Sequence, residues 1–354
     1  MDFEPTEAQR AIAGLAAEVL CGEDPWKELA RSGLLSLAVP AYLGGDGYGV
    51  QEVAVLLTEI GRRGIYLPAL GTLAGGVLPV ARWGDQALQR ELLPAAAAGE
   101  MILTAAVREP GGKQTTVIDD DTVTGVKVGV PYAATASRIL VATGNGACQS
   151  AVGGDGNGVG DGNGGGGSNG GGGGNGVADG SGVALIDPHG DGVSLARTPT
   201  VTGEPEYTVR LDHAPVLATL NGDLHQFVTA GACALADGAL AGALRLTRDH
   251  VATRRQFGRP LAEFQAVSQQ VADVYIASRT LHLITLSACW QLDNSKKVGD
   301  LDVAAWWVTE EAPRSVLVCH HLHGGVGVDI SYPMHKFSSL IADLARCLGG
   351  ASVH

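Results

Sequence analysis

The segment at residues 254–261, which reads RRQFGRPL, carries residue types suited to hold a phosphorylated ligand. The planar guanidinium of Arg254 can grip a pyrophosphate with two parallel hydrogen bonds, which an ammonium cannot do. Phe257 offers an apolar face to a nucleotide base, and Gly258 allows a tight turn. A basic helix end that neutralises its own carbonyls has a similar composition, so these residues alone leave both interpretations open.

A second segment with chemical potential lies at residues 320–327 and reads HHLHGGVG. The paired glycines Gly324 and Gly325 allow close backbone approach to a ligand, or they end a helix. The three histidines stand at i, i+1 and i+3, with no obvious carboxylate partner. Because one helical face cannot present all three, we expect no metal site here.

The elements that position these segments follow from the apolar spacing. Residues from about 5 to 105 have helical spacing, and Thr6 with Gln9 forms a capping-box pattern at the start. Residues 102–218 contain short β-rich runs separated by turn residues, which is typical of an antiparallel sheet. Helical spacing then returns from about residue 224 to 348 in four successive helices, which predict an antiparallel bundle.

We therefore expect an α+β fold that is mostly α. The predicted domains are a helical N-terminal domain at residues 1–101, a central antiparallel β domain at 102–220 and a C-terminal four-helix bundle at 221–354. The β domain carries a glycine-rich insertion at residues 144–182, with 18 glycines between Gly153 and Gly182. Its composition predicts a flexible, solvated loop.

The bulk composition narrows the class of function. The net charge of -13 opposes binding to nucleic acid or to anionic lipid surfaces. The six cysteines have no paired spacing, which favours reduced thiols over a disulfide framework. The acidic start of the chain does not have the pattern of a signal peptide, and no apolar run approaches the length of a membrane span. We expect a cytoplasmic protein.

In this order and at this separation, the two segments resemble motifs of the acyl-CoA dehydrogenases. That family has a helical N-terminal domain, a central β domain and a C-terminal four-helix bundle. It carries Arg-x-x-Phe-Gly after the first bundle helix and His/Phe-Gly-Gly-x-Gly after the third. Residues 26–45 are similar to its N-terminal domain, residues 108–111 (REPG) to its Thr-Glu-Pro-Gly turn, and residues 332–336 (YPMHK) to its Tyr-Pro-x-x-Lys/Arg segment.

The resemblance implies an FAD cofactor, an acyl-CoA substrate and electron-transfer flavoprotein as the electron acceptor. It also implies that one half of the FAD site crosses a dimer interface. The residues that would contact the pyrophosphate and adenosine part are Arg254, Gln256, Phe257, His321, Gly324 and Gly325.

The sequence departs from the family at the catalytic base. The family removes an α-proton with a positioned carboxylate, a glutamate that in most members follows the last bundle helix. Gly349 stands at that position here, and Val228 stands at the alternative position early in the first bundle helix. We therefore predict no catalytic residue in this chain. Asp237, about two and a half turns after Val228, is the candidate substitute acid, whereas we expect Glu263, Glu310 and Glu311 to be helix-surface charges.

The flavin-ring contacts of the β domain are also missing. Where the family has Trp-Ile-Thr/Ser against the isoalloxazine, this chain has Gly129, Val130 and Pro131. Where it has Gly-Ser-Asp after the Glu-Pro-Gly turn, this chain has Lys-Gln-Thr at residues 113–115. The aromatic wall and the hydroxyl are both absent.

These losses suggest a subunit that keeps the half-site shared with a neighbour and has lost the half that reacts. It resembles one subunit type of the actinobacterial heterotetrameric acyl-CoA dehydrogenases that act on steroid side-chain CoA esters, in which a homologous partner supplies the base. Two alternatives remain open: a self-sufficient homo-oligomeric enzyme that uses Asp237 or an unrecognised residue, and a scaffold with the same fold that binds no flavin.

Overall fold

The computed structural model has a helical N-terminal part, a central β part and a helical C-terminal part, in the predicted order. It describes residues 3–112, 115–144, 182–294 and 299–349. The predicted glycine-rich loop, Lys113, Gln114 and the residues after Gly349 lie outside the described residues.

The N-terminal part begins at the predicted cap. The Thr6 hydroxyl accepts from the Gln9 amide at 3.2 Å, and the Gln9 side-chain oxygen accepts from the Thr6 amide at 3.1 Å, so the capping box is confirmed. A π-helical stretch at Leu70–Val77, which the apolar spacing did not predict, runs directly into α4. The helices are α1 (Glu7–Val19), α2 (Pro25–Arg31), α3 (Val50–Arg62), α4 (Leu78–Trp83) and α5 (Gln86–Ala97).

The described part of the central region forms two four-stranded sheets with a small apolar core between them. The strands are β1 (Leu103–Ala106), β2 (Val117–Asp119), β3 (Thr122–Pro131), β4 (Arg138–Thr143), β5 (Gly182–Ile186), β6 (Val193–Thr198), β7 (Glu206–Pro215) and β8 (Ala218–Asn221). One sheet has the order β1-β4-β5-β8 and the other β2-β3-β7-β6. The predicted antiparallel pairing is correct except between β1 and β4, which are parallel. Parallel strands need a long crossover connection. Here β2 and β3 of the second sheet form the connection between β1 and β4.

The C-terminal part consists of long helices around a shared core. They are α6 (Leu224–Thr253), α7 (Gln265–Asp293), α8 (Gly299–Trp306), α9 (Ala312–His323) and α10 (Met334–Cys347). α8 and α9 make up the third predicted helix and are joined by a π-helical turn at Trp307–Glu311. Pro313 follows this turn, and since proline has no amide N–H, the regular hydrogen-bond ladder is interrupted there.

Glycines allow the N-terminal and C-terminal parts to pack closely through α3 and α6. A Cβ on Gly238 would overlap the carbonyl oxygen of Thr58, and one on Gly61 would overlap that of Leu235. α6 is the one helix of the described residues that is long and apolar enough to cross a membrane, but 89% of its most apolar stretch is buried in the fold. α6 is therefore the central core helix, and its two ends carry the candidate site.

Candidate functional site

The arginine–phenylalanine motif forms a tight hairpin after α6. Strands β9 (Arg255–Gln256) and β10 (Arg259–Pro260) pair antiparallel, leaving Phe257 and Gly258 at the turn. Both turn residues have positive φ, 51° and 83°, as in type I′ turns. That conformation suits Gly258 but strains Phe257. The turn holds the Phe257 ring in solvent, 92% exposed.

Contacts behind the hairpin hold it in this shape. The Arg259 guanidinium lies over the Phe264 ring, 4.1 Å from its centroid, and Phe257 meets that ring edge-on at 6.2 Å. Arg255 Nη2 donates to the carbonyl of Gly258 at 2.9 Å. Two of the three arginines therefore support the turn. The side chain of Arg254, at the cap of α6, is exposed.

The histidine–glycine motif lies at the end of α9. His323 is buried, and its Nδ1 lies 2.8 Å from the carbonyl oxygen of Cys319. His321 is exposed, as are Gly324 and Gly325, and a Cβ on either glycine would meet no atom within 4 Å. The backbone of this turn is therefore open to a ligand.

A histidine stack joins the two motifs within one subunit. The rings of His250, in the last turn of α6, and His323 lie 4.5 Å apart, and the Arg254 amide donates to the His250 carbonyl at 2.8 Å. Burial, with the neighbouring positive groups, lowers the pKa of His250 below 6.5, and burial likewise lowers the pKa of His323. The structure thus brings the predicted residues Arg254, Gln256, Phe257, His321, Gly324 and Gly325 to one end of the helical domain.

Gly349, which we predicted to stand where the family has its base, lines a different cavity, between the β part and the end of α10. This cavity of about 420 Å³ is lined by Arg108, Glu109, His225 and Gly349, among others. Glu109 is the one carboxylate among its described lining residues. The possibility that Glu109 acts as a proton acceptor therefore depends on its environment.

Glu109 is committed to a buried ion pair. Its Oε1 lies 2.6 Å from Lys127 Nζ, with the two side chains 3% and 0% exposed. It also accepts hydrogen bonds from the Thr115 hydroxyl and from the amides of Thr115 and Thr116. Burial alone would raise the pKa of Glu109, but the ammonium and these donors outweigh it and lower the pKa to about 2. A carboxylate this acidic is a poor base for a weakly acidic α-proton.

Gly129, which we predicted to stand where the family has tryptophan, lies in a β-bulge of β3. The register shifts between Lys127 and Val130, and Gly129 has φ of 71°. A Cβ there would stand 3.4 Å from Arg108 Nη1 and 3.9 Å from the Glu206 carboxylate. These are ordinary contact distances, so it is the positive φ of the bulge that disfavours a side chain at this position.

An ion pair ties α10 across this region to the β part. Arg346 binds the Glu206 carboxylate with two hydrogen bonds, of 2.8 and 2.7 Å. Its neighbour Asp343 accepts from the amides of Val201 and Thr202 at 3.0 and 2.9 Å. The hydrogen bonds to Glu206 raise the pKa of Arg346 above its usual value. The β6–β7 loop and α10 are therefore held together beside Gly129.

Asp237 lies away from the cavity of Gly349. It follows Val228 by about two and a half turns, so it points from the opposite side of α6. The buried carboxylate lies 2.8 Å from His282 Nδ1 on α7. The structure therefore gives no support to Asp237 as a substitute base.

The sequence analysis did not identify His225 as a residue of the cavity that Gly349 lines. His225 lies in the first turn of α6, and its Nδ1 is 3.2 Å from the Thr229 hydroxyl. It lines the cavity of Gly349. Its place three residues before Val228 was the available signal, because one helical turn separates the two positions.

The fold and the two motifs define an acyl-CoA dehydrogenase. Models of the acyl-CoA dehydrogenase N-terminal and C-terminal domains match residues 5–100 and 229–352. The chain is 40% identical to acyl-CoA dehydrogenase FadE28 of Mycobacterium tuberculosis, over 99% of this chain and 96% of that protein. This chain belongs to the acyl-CoA dehydrogenase family, whose cofactor is FAD.

Two solved structures are similar over nearly the whole chain. A variant of the Tcur3481-Tcur3483 steroid ACAD is 30% identical, with a TM-score of 0.82 over 98% of this chain and 95% of that one. The ChsE4-ChsE5 complex from Mycobacterium tuberculosis is 26% identical, also with a TM-score of 0.82, over 99% of this chain and 96% of that one.

The two halves of the site fit FAD unequally. The open glycine turn and the projecting Phe257 and Arg254 suit a pyrophosphate with an attached base. Gly129 has no side chain to place against an isoalloxazine ring, and the Glu206–Arg346 pair stands beside it.

Proposed function

We propose that this chain is one subunit of a heteromeric FAD-dependent acyl-CoA dehydrogenase. It contributes the residues that hold the pyrophosphate and adenosine part of an FAD across the dimer interface. A homologous subunit supplies the flavin-ring contacts and the catalytic glutamate. The observation that carries the proposal is the strained, 92% exposed Phe257 beside an open glycine turn, in a subunit that has no suitable base at Gly349.

Each of the six residues of the two motifs has a role in this proposal. Arg254 binds the phosphate oxygens through its guanidinium, and Gln256 hydrogen-bonds beside it. Phe257 packs on the adenosine part. His321, Gly324 and Gly325 complete the site, since glycines let the backbone approach the phosphates. FAD, when bound, would supply the acceptor for the β-hydride of the acyl thioester, and the partner's glutamate would remove the α-proton.

The desaturation of a steroid side-chain CoA ester is the reaction we propose. The solved steroid ACAD, which matches this chain over 98% of its length, supports that substrate class. The ChsE4-ChsE5 structure is that of a complex, which supports a heteromer, and we propose a heterotetramer. By family resemblance the proposed electron acceptor is electron-transfer flavoprotein.

We also propose a cytoplasmic location, without binding to membrane or nucleic acid. The five cysteines within the described residues all have free thiols, as expected in a reducing compartment. The net charge of -13 supports the absence of nucleic acid and anionic lipid partners.

The test is to purify this chain alone and together with a homologous acyl-CoA dehydrogenase encoded beside it. We expect the chain alone to be colourless and inactive, and the pair to be yellow and to desaturate a steroid side-chain CoA ester. Flavin and turnover in the chain alone would establish the self-sufficient alternative. No flavin in either preparation would leave the scaffold alternative.

A further inference from the structure

A cleft between α6 and α7 gathers basic side chains in a protein with a net charge of -13. Arg62, Arg245, Arg248 and Arg279 all line this arginine cleft, which has a volume of about 590 Å³. Arg62 is paired with Glu59 and Arg248 with Asp249. Arg245 and Arg279 have no hydrogen-bond or ion-pair partner in the part of the chain that the structure describes. Their charges are available to a ligand.

The floor of the arginine cleft is polar and fixed. Asp237, with a side chain 4% exposed, holds His282 through a contact of 2.8 Å. These two residues and Arg62 also line an adjoining cavity of about 260 Å³. There Thr285, 3% exposed, has a buried hydroxyl with no hydrogen-bond partner within the described residues. An unsatisfied buried hydroxyl is costly, and a ligand or water can satisfy it.

The walls of the arginine cleft indicate the rest of the ligand. Ala241, Leu244 and Val271 provide apolar surface, and Tyr275 stands at the cleft 59% exposed. A tyrosine ring and guanidinium planes both stack on flat aromatic groups. A concave site of this volume suits a small molecule rather than a peptide laid on a flat surface. Guanidinium forks select phosphate or carboxylate oxygens.

We propose that the arginine cleft binds a phosphorylated small molecule with an aromatic body, of the class of a nucleoside diphosphate. It lies on the side of α6 opposite Val228 and is formed by residues other than the FAD motifs, so the proposal does not depend on the function proposed above. Two sources share this chemistry: a free nucleotide and the nucleotide end of coenzyme A.

The test is calorimetric titration of the full-length protein with ADP, coenzyme A, adenosine and pyrophosphate. We expect ADP to bind and adenosine not to bind. Arg245→Gln and Arg279→Gln should each raise the Kd about tenfold, as expected when a charge-assisted contact is lost. Arg197→Ala, an exposed arginine of β6, is the matched control that leaves this Kd unchanged. Arg254→Ala reports separately on any ADP that binds at the FAD motif.

A coenzyme A Kd well below that of ADP would identify coenzyme A as the source, and equal values would identify the free nucleotide. Both results support the site only if the two glutamine variants weaken binding. Binding that is lost in Arg254→Ala but kept in Arg245→Gln would overturn the proposal, because the ligand would then occupy the FAD site. Failure of ADP to bind the wild-type protein would also overturn it.

Discussion

His250 and His323 stack with their ring planes 26° apart, and this contact joins the ends of α6 and α9. Tyr332, which follows the glycine turn in the chain, also packs against His323, with ring centroids 5.2 Å apart. The arginine hairpin and the glycine turn are therefore one preassembled surface. In the proposed complex, FAD binding would not have to order two separate loops, which would favour affinity.

The histidine stack predicts a loss of stability at mildly acidic pH. Both histidines have a pKa lowered from 6.5, chiefly by burial, so the folded state binds fewer protons than the unfolded state. Stability should therefore fall as the pH drops through and below 6.5 and should recover above it. Urea denaturation of wild type and His323→Gln at several pH values measures this. We expect a shallower pH dependence in His323→Gln, and equal slopes would argue against the stack as the source.

Phe257→Gly should separate folding from cofactor binding. The substitution relieves a positive φ of 51° but removes the ring contact with Phe264 and adds freedom to the unfolded chain, so we expect stability to change by less than about 1 kcal/mol. The complex with the partner should nevertheless retain less FAD, because the exposed ring is lost. Thermal melts of the chain and flavin absorbance of the complex are the measurements. Leu217→Ala, at another exposed apolar residue, is the control. Full FAD retention in Phe257→Gly would remove Phe257 from the site.

The Glu109–Lys127 pair should be a structural element of the β part. Lys127→Met leaves a buried carboxylate unpaired and should cost about 3–5 kcal/mol. The double variant Glu109→Gln/Lys127→Met should recover much of that loss. Because the pKa of Glu109 falls from 4.5 to about 2 on folding, the wild-type pair stabilises the fold above pH 4.5 and loses this contribution as the pH falls toward 2. Chemical denaturation checks both effects, and a stable Lys127→Met variant would contradict them.

Neither His225, which lines the cavity of Gly349, nor Asp237 should be needed as a base for turnover. In the complex with the partner, His225→Ala and Asp237→Asn should both keep kcat within about twofold of wild type, since neither removes a transition-state contact. Steady-state kinetics with an acyl-CoA substrate is the measurement. A loss of several hundredfold in His225→Ala, with FAD content unchanged, would instead make His225 the base of this subunit.

Local sequence signals predicted much of the fold. The apolar spacing located the helices, and the Thr6–Gln9 pattern located the first cap. The parallel pairing of β1 with β4 could not be predicted, because it depends on contacts between distant parts of the chain. The π-helical stretch at Leu70–Val77 was missed for a similar reason: its buried glycines lie against the neighbouring strand β1, where a Cβ on Gly75 or Gly76 would crowd Ala105 or Leu103.

The candidate site was predicted as two motifs without their connections. Spacing alone could not show that His250 stacks on His323, because the two residues are far apart in the sequence. The Arg346–Glu206 pair beside Gly129 was hidden for the same reason. The position of Asp237 could be predicted from the sequence, because helical geometry places it on the side of α6 opposite Val228.

The flavin content of the purified complex tests the central claim most directly. Flavin absorbance and quantitative amino-acid analysis give the number of FAD molecules per pair of unlike chains. We predict one FAD per pair, lost on Arg254→Ala in this chain and kept on Arg210→Ala, an exposed arginine of β7. Two FAD per pair, or an unchanged flavin content in Arg254→Ala, would contradict the account.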